Sequence, residues 1–200
     1  MVVDFDDASS DVFFVLQDSV RVMVRTADGE RTQILSDFGA GELVGEMAAI
    51  DGAPRSARIE SLVLSRLCAV PRAIFLDAVL SCPRLALRLM RLLTDRIRLQ
   101  NRRLLEHTAL PIRMRLAAEI LRLSRPRPDE TRTVSPPPPQ DELAERVGAR
   151  RETVSRELSV LAQTGLLRRT RAAFVVDDPE SLQALTERSL DLAANPLGHR

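Results

Sequence analysis

The chain has 200 residues, 44% of them apolar and 28% charged, with a net charge of +1. That length accommodates two small domains with a core each, and the composition is that of an ordinary globular protein. No apolar run of bilayer length and no leader with a basic start and apolar centre is visible, and Cys68 and Cys82 lack CxxC spacing, so a zinc site, an iron–sulfur cluster and a disulfide framework are not expected. This suits a reducing cytoplasm. The small net charge hides a split: residues 1–81 carry 7 Arg against 13 acids, net −6, and residues 82–200 carry 22 Arg against 15 acids, net +7. A basic back half points to a polyanion partner for that half alone, with solvated helix faces as the plain alternative.

In chain order, Val12–Leu16 and Val20–Val24 are β-branched or aromatic runs that predict strands. Ala27–Glu30 reads as a hairpin turn before a strand at Thr32–Leu35, and Ile59–Val70 as a further strand region. Short strands joined by Gly/Asp turns predict a small antiparallel barrel or sandwich. A short helix follows over Pro71–Leu80. Pro83 then opens a long helix to about Thr108. Along it Ala86, Met90, Leu93, Ile97, Gln100, Leu104 and His107 repeat with spacing 4-3-4-3, a heptad seam. No second helix of this kind follows, so the expected partner is the same helix of a second chain. Leu110–Ser124 is a further amphipathic helix. Arg125–Pro139 is a proline-rich loop with a short strand near Thr131–Val134. Helices at Asp141–Val147 and Arg151–Gln163 follow, then a two-stranded wing from Leu166–Arg169 and Ala173–Val176, a helix from Pro179 to about Leu192, and a loose end. The fold class is α+β.

Two segments carry chemistry. In GEMAAIDGAPRSAR, Glu46 and Arg55 stand nine residues apart around the turn Asp51–Pro54. They form either a salt bridge or the two ends of a grip on one small anionic ligand. In DELAERVGARRETVSRELSVL, small Ala144, then Gly148 four later and Val154 six later, have helix-turn-helix spacing. Ala144 leaves room for the crossing helix, Gly148 permits the turn, and Val154, Leu158 and Leu161 form the buried stripe. Arg151, Glu152, Ser155 and Arg156 then face outward, where Arg can read guanine and Glu cytosine. Arg150 and Thr153, near the helix start, suit phosphates. An exposed helix laced with Arg–Glu pairs is the other reading of the same residues.

At GEMAAIDGAPRSA the sequence resembles a cyclic-nucleotide phosphate-binding cassette. With GARRETVSREL behind it, nearly the whole chain is similar to the CRP/FNR family of bacterial transcription regulators. The resemblance implies a cyclic-nucleotide-binding β-roll over 1–82, a dimerisation helix over 83–109, a winged helix-turn-helix over 110–178 and a terminal helix and tail over 179–200. It implies that Gly45, Met47 and the neighbouring amides, with Arg55 and Ser56, hold the cyclic phosphate, and that Glu46 accepts from the ribose 2′-hydroxyl. Gln100 and Asn101 either reach the purine base or fix the register of the coiled coil. The implied effector is cyclic AMP, with cyclic GMP second; Ser56 rather than Thr leans toward adenine. The implied partners are double-stranded DNA, a second copy through residues 83–109 and, through the loop 125–139 by analogy alone, RNA polymerase. No metal, haem, iron–sulfur cluster or membrane is implied.

Three departures from the family pattern stand out. The leading helix and strand of the family have no counterpart before Met1, which implies an N-terminally truncated sensor domain and an unpaired barrel edge. Asp6 and Asp18 occupy positions of turn glycines. Pro139 replaces a Thr or Ser cap. A pocket that is vestigial or tuned to another signal is therefore a second hypothesis. An enzyme is the third and least supported, since neither His107, on the seam helix, nor His199, in the tail, has a catalytic partner in the sequence.

Overall fold

The structure is a computed structural model that describes residues 1–25 and 32–194, with side chains through Leu190. The expected turn at Ala27–Glu30 and His199 lie outside the described residues. The chain divides inside its longest helix into two compact units, Met1–Ile97 and Arg98 onward.

The first unit contains β1 (Val12–Gln17), β2 (Ser19–Arg25), β3 (Thr32–Gly39), β4 (Leu43–Val44), α1 (Glu46–Asp51), β5 (Arg58–Ser61), β6 (Arg66–Val70) and α2 (Arg72–Ser81), and it ends in the first half of α3 (Pro83–Ala109). Two antiparallel sheets, ordered β4-β1-β6 and β3-β2-β5, make the β-roll. Side chains alternate across a strand, so Val12 and Val15, an odd number of residues apart, point to opposite faces. Val15 joins Val20, Val44 and Ile59 between the sheets, while Val12 packs with Ala49 of α1 and Phe75 of α2. Central β1 is covered on both sides, which is why it reads as a nearly unbroken apolar run.

The strand region Ile59–Val70 resolves into two strands, β5 and β6. β5 pairs with β2 and β6 with β1, and residues 62–65 carry the chain from one sheet to the other. The β5 edge is not bare either. Val2 and Val3 donate to Ile59 O, Ile59 donates to Val3 O, and Asp6 and Asp7 exchange backbone bonds with Arg55. Asp6 and Asp18 both hold the left-handed conformation, at φ 59° and 61°, which Asp tolerates better than most residues.

The second unit takes the rest of α3 and contains α4 (Ile112–Leu123), β7 (Arg125–Pro126), β8 (Arg132–Val134), α5 (Gln140–Val147), α6 (Arg151–Gln163), β9 (Arg168–Arg169), β10 (Phe174–Val176) and α7 (Pro179–Ala194). The wing strands pair as expected, but inside a four-stranded sheet, β7-β8-β10-β9. Leu116 and Ile120 of α4, Leu143 and Val147 of α5, Val154, Leu158 and Leu161 of α6, Phe174 and Val176 of the wing and Leu182 of α7 form one core. Beside it lies a buried charge network. Arg122 makes a bidentate bond to Glu106 (3.0 and 2.8 Å) and bonds Glu119 (2.8 Å), which also meets Arg146 (3.4 Å). Buried charges persist when paired in this way.

Candidate functional site

The first candidate centre is built on α1 and the loop after it. Gly45 precedes α1 at φ 83° and Gly52 follows it at φ 73°. A Cβ on Gly45 would come within 2.7 Å of Arg55 Nη1 and 3.1 Å of Asp11 O, so both conformation and space demand glycine there. Arg55 is only 4% exposed. It donates from Nη1 to Gly45 O (2.8 Å), from Nη2 to Asp11 O (2.7 Å) and from Nε to Ser9 Oγ (3.2 Å). Burial lowers its pKa from the ordinary arginine value, against the opposing pull of Asp7, Asp11 and Glu46.

Glu46 is also buried, at 5% exposure, but it does not pair with Arg55. Its Oε1 accepts from Arg96 Nη1 at 2.7 Å, and Arg96 Nη2 donates to Leu43 O. The Arg96 guanidinium lies over the Phe38 ring, 4.5 Å from its centroid. Neither of the two readings made from the spacing alone anticipated this: the partner of the acid comes from α3. Ser56 is exposed and its hydroxyl meets only Met47 Sδ at 3.9 Å; Met47 is itself exposed. The first amides of α1 have no acceptor within their own helix. Gly45, Glu46, Arg55 and, at its edge, Met47 and Ser56 are thus brought together. Gln100 and Asn101 are exposed on α3, beyond Ile97, in the second unit.

The second candidate centre is α6. Gly148 ends α5 at φ 62°, and Ala149 N donates to Ala144 O across the turn (3.0 Å). Val154, Leu158 and Leu161 are buried, as their stripe predicts, while Arg151, Glu152 and Arg156 are exposed and Thr153 and Ser155 half-buried. Arg150 stands at the N-cap without making a side-chain cap. Pro139 likewise precedes α5 with no side-chain cap, and Asp141 and Glu142 in the first turn offset this by complementing the helix dipole. Arg151, Glu152, Ser155, Arg156 and Ser159 line one shallow depression with Gln140. The ion pairs on this face are long: exposed Arg151 to exposed Asp141 at 3.7 Å, and exposed Arg156 to half-buried Glu157 at 3.5 Å. Such pairs contribute little and leave the guanidiniums available. Gln140 was not a sequence candidate, nor was Arg96. No local pattern marks one arginine among 29 basic residues as the partner of Glu46.

Residues 1–82 match the cyclic nucleotide-binding domain, and residues 114–185 match the Crp-like helix-turn-helix domain. The cyclic AMP receptor protein of Thermus thermophilus is 32% identical over 162 residues, 81% of this chain and 73% of that protein. A CRP-like cAMP-activated global transcriptional regulator of Mycobacterium tuberculosis is 25% identical over 174 residues, 86% of this chain and 77% of that one. The solved structure of a CooA mutant from Carboxydothermus hydrogenoformans shares the fold, with a TM-score of 0.78 at 19% identity over 92% of this chain and 83% of its own. None of the described helices is long and apolar enough to cross a membrane, and the described residues include no metal-ligating cluster of three or more. A nucleotide-binding β-roll followed by a long helix and a winged helix-turn-helix, each with its relatives, places the chain in the CRP/FNR family of DNA-binding transcription regulators.

Proposed function

We propose that this chain is a homodimeric transcription regulator whose DNA binding is gated by cyclic AMP, or cyclic GMP, held between Gly45 and Ser56. The observation that carries the reading is the join of Gly45 to Arg55, which sets a guanidinium beside the open end of α1. Three of the five guanidinium N–H groups are taken by the protein, so two remain for a phosphate, together with the Ser56 hydroxyl. Glu46, held by Arg96, offers its remaining acceptor capacity to a ribose hydroxyl. The cyclic AMP receptor named above supports the nucleotide class. In the same reading α3 pairs with its copy through Met90, Ile97 and Leu104, and Arg151, Glu152, Ser155 and Arg156 read bases while Arg150 and Thr153 hold phosphates.

A second reading has its own observation. Glu46 and Arg55 are both buried and both already bonded to protein groups. There the cassette is structural, and the regulator binds DNA without a cyclic nucleotide.

Calorimetric titration with cyclic AMP and cyclic GMP separates the two. Ser56→Ala is the informative variant because it disturbs no strong contact. The gated reading expects saturable binding near one nucleotide per chain, weakened about ten-fold by the lost charged hydrogen bond. No binding of either nucleotide to the folded protein would favour the second reading.

A further inference from the structure

The turn between α5 and α6 is gripped from outside the helix-turn-helix. Arg115 of α4 donates from Nη1 to Val147 O, the last carbonyl of α5, at 3.0 Å. The same Nη1 lies 3.4 Å from His107 Nδ1 on the final turns of α3. The His107 ring in turn lies against Gly148. A Cβ there would come 3.2 Å from Cε1 and 3.3 Å from Nδ1 of His107. The recognition helix α6 starts at Arg151, three residues later. A guanidinium can only donate, so this contact requires a lone pair on Nδ1 and places the ring proton on Nε2.

We propose that His107 and Arg115 are positioning residues for the recognition helix: the neutral ring and the guanidinium hold the turn Val147–Ala149, and protonation of His107 releases it. A protonated ring turns an N–H toward the guanidinium, so an acceptor becomes a second cation. The charged groups acting on His107 are Arg115 and Arg122 from α4 and Glu106 and Arg103 from α3. Glu106, the one acid among them, is already bound bidentately by Arg122. From the turn His107 meets the Gly148 backbone. Burial first, and Arg115 second, lower the His107 pKa from its ordinary 6.5. The folded protein therefore favours the neutral ring. The stabilisation is fully present above about pH 6.5 and is lost as pH falls through the lower folded-state value.

The inference rests on the DNA-binding reading of α6, and two arms of the test keep them apart. The first arm follows the full-length protein by NMR between about pH 7.5 and 5.5. The chain has two histidines, His107 and His199, so His107→Gln assigns the ring signals. The amides of Gly148 and Ala149 are expected to move with the His107 midpoint, below 6.5, and to stay still in His107→Gln. Amides unmoved while the ring titrates would overturn the proposal, and the wild type decides this even where the variant fails to fold. The second arm uses a duplex selected by the protein from a random pool at neutral pH. Its affinity is expected to fall about ten-fold further in wild type than in His107→Gln across that range, one pKa unit of coupling. An equal fall in both also overturns the proposal. Failure to select any duplex counts against the DNA-binding reading, and the amide arm then decides the latch alone.

Discussion

Arg55 is fixed by backbone and side chain together: its amide donates to Asp7 O at 3.0 Å, its carbonyl accepts from Asp6 N at 3.1 Å, and its guanidinium bonds Ser9, Asp11 and Gly45. Arg55→Ala strips a buried charged donor from two carbonyls and a hydroxyl. It should lower stability by about 2–4 kcal/mol in the absence of nucleotide, read by urea unfolding; a loss under about 0.5 kcal/mol would assign the residue to ligand alone. Arg151, 63% exposed at its side chain and loosely paired with Asp141, should behave differently. Arg151→Ala should leave stability within about 0.5 kcal/mol and relax sequence preference at one base pair, at a cost of about 1–3 kcal/mol in binding. A uniform weakening over all duplexes would make it a phosphate contact. Gly148 was legible from its own turn because a left-handed conformation depends on local sterics, whereas Asp6 and Asp18 stood out only against the turn glycines of the resembled family. The partner of Glu46 was not legible, because Arg96 lies 50 residues away.

α3 was legible as an element and only partly as a surface. Met90, Ile97 and Leu104 recur every seven residues and are 56%, 60% and 64% exposed, so an apolar stripe lies uncovered on the chain. Ala86 and Leu93 of the same seam are half-buried, and His107, its last member, lies against Arg115 and Gly148 instead. Periodicity places residues on one face of a helix but does not say what lies against each. Ile97→Asp should shift a dimer to monomer in sedimentation experiments while leaving helical content unchanged; an unchanged dimer would move the interface off this stripe. The strands show the same limit. β1 and β2 were marked by their side chains, but the run Ile59–Val70 hid a crossover, since apolar character continues on both sides of residues 62–65.

Across the molecule, the acidic front half holds a valine-rich cluster between small sheets and a smaller one of Val12, Ala49 and Phe75, and the basic back half holds a leucine-rich core around α4 and α6. The charge split is composition summed over each half; the order of strands, long helix and helix-turn-helix, and the buried stripe of α6, follow from local periodicity among residues within one or two turns of one another. The four-stranded wing sheet, the Arg55 bonds to Asp11 and Gly45, the Arg96–Glu46 pair and the Arg115 bond to Val147 O beside His107 do not. They join residues distant in the chain, and which of many arginines or strand edges comes close is set by packing of whole elements. Pattern fixed where helices and strands form and which faces are apolar; long-range packing chose the partners of the buried charges, because a buried guanidinium or carboxylate must find hydrogen bonds wherever the fold delivers them.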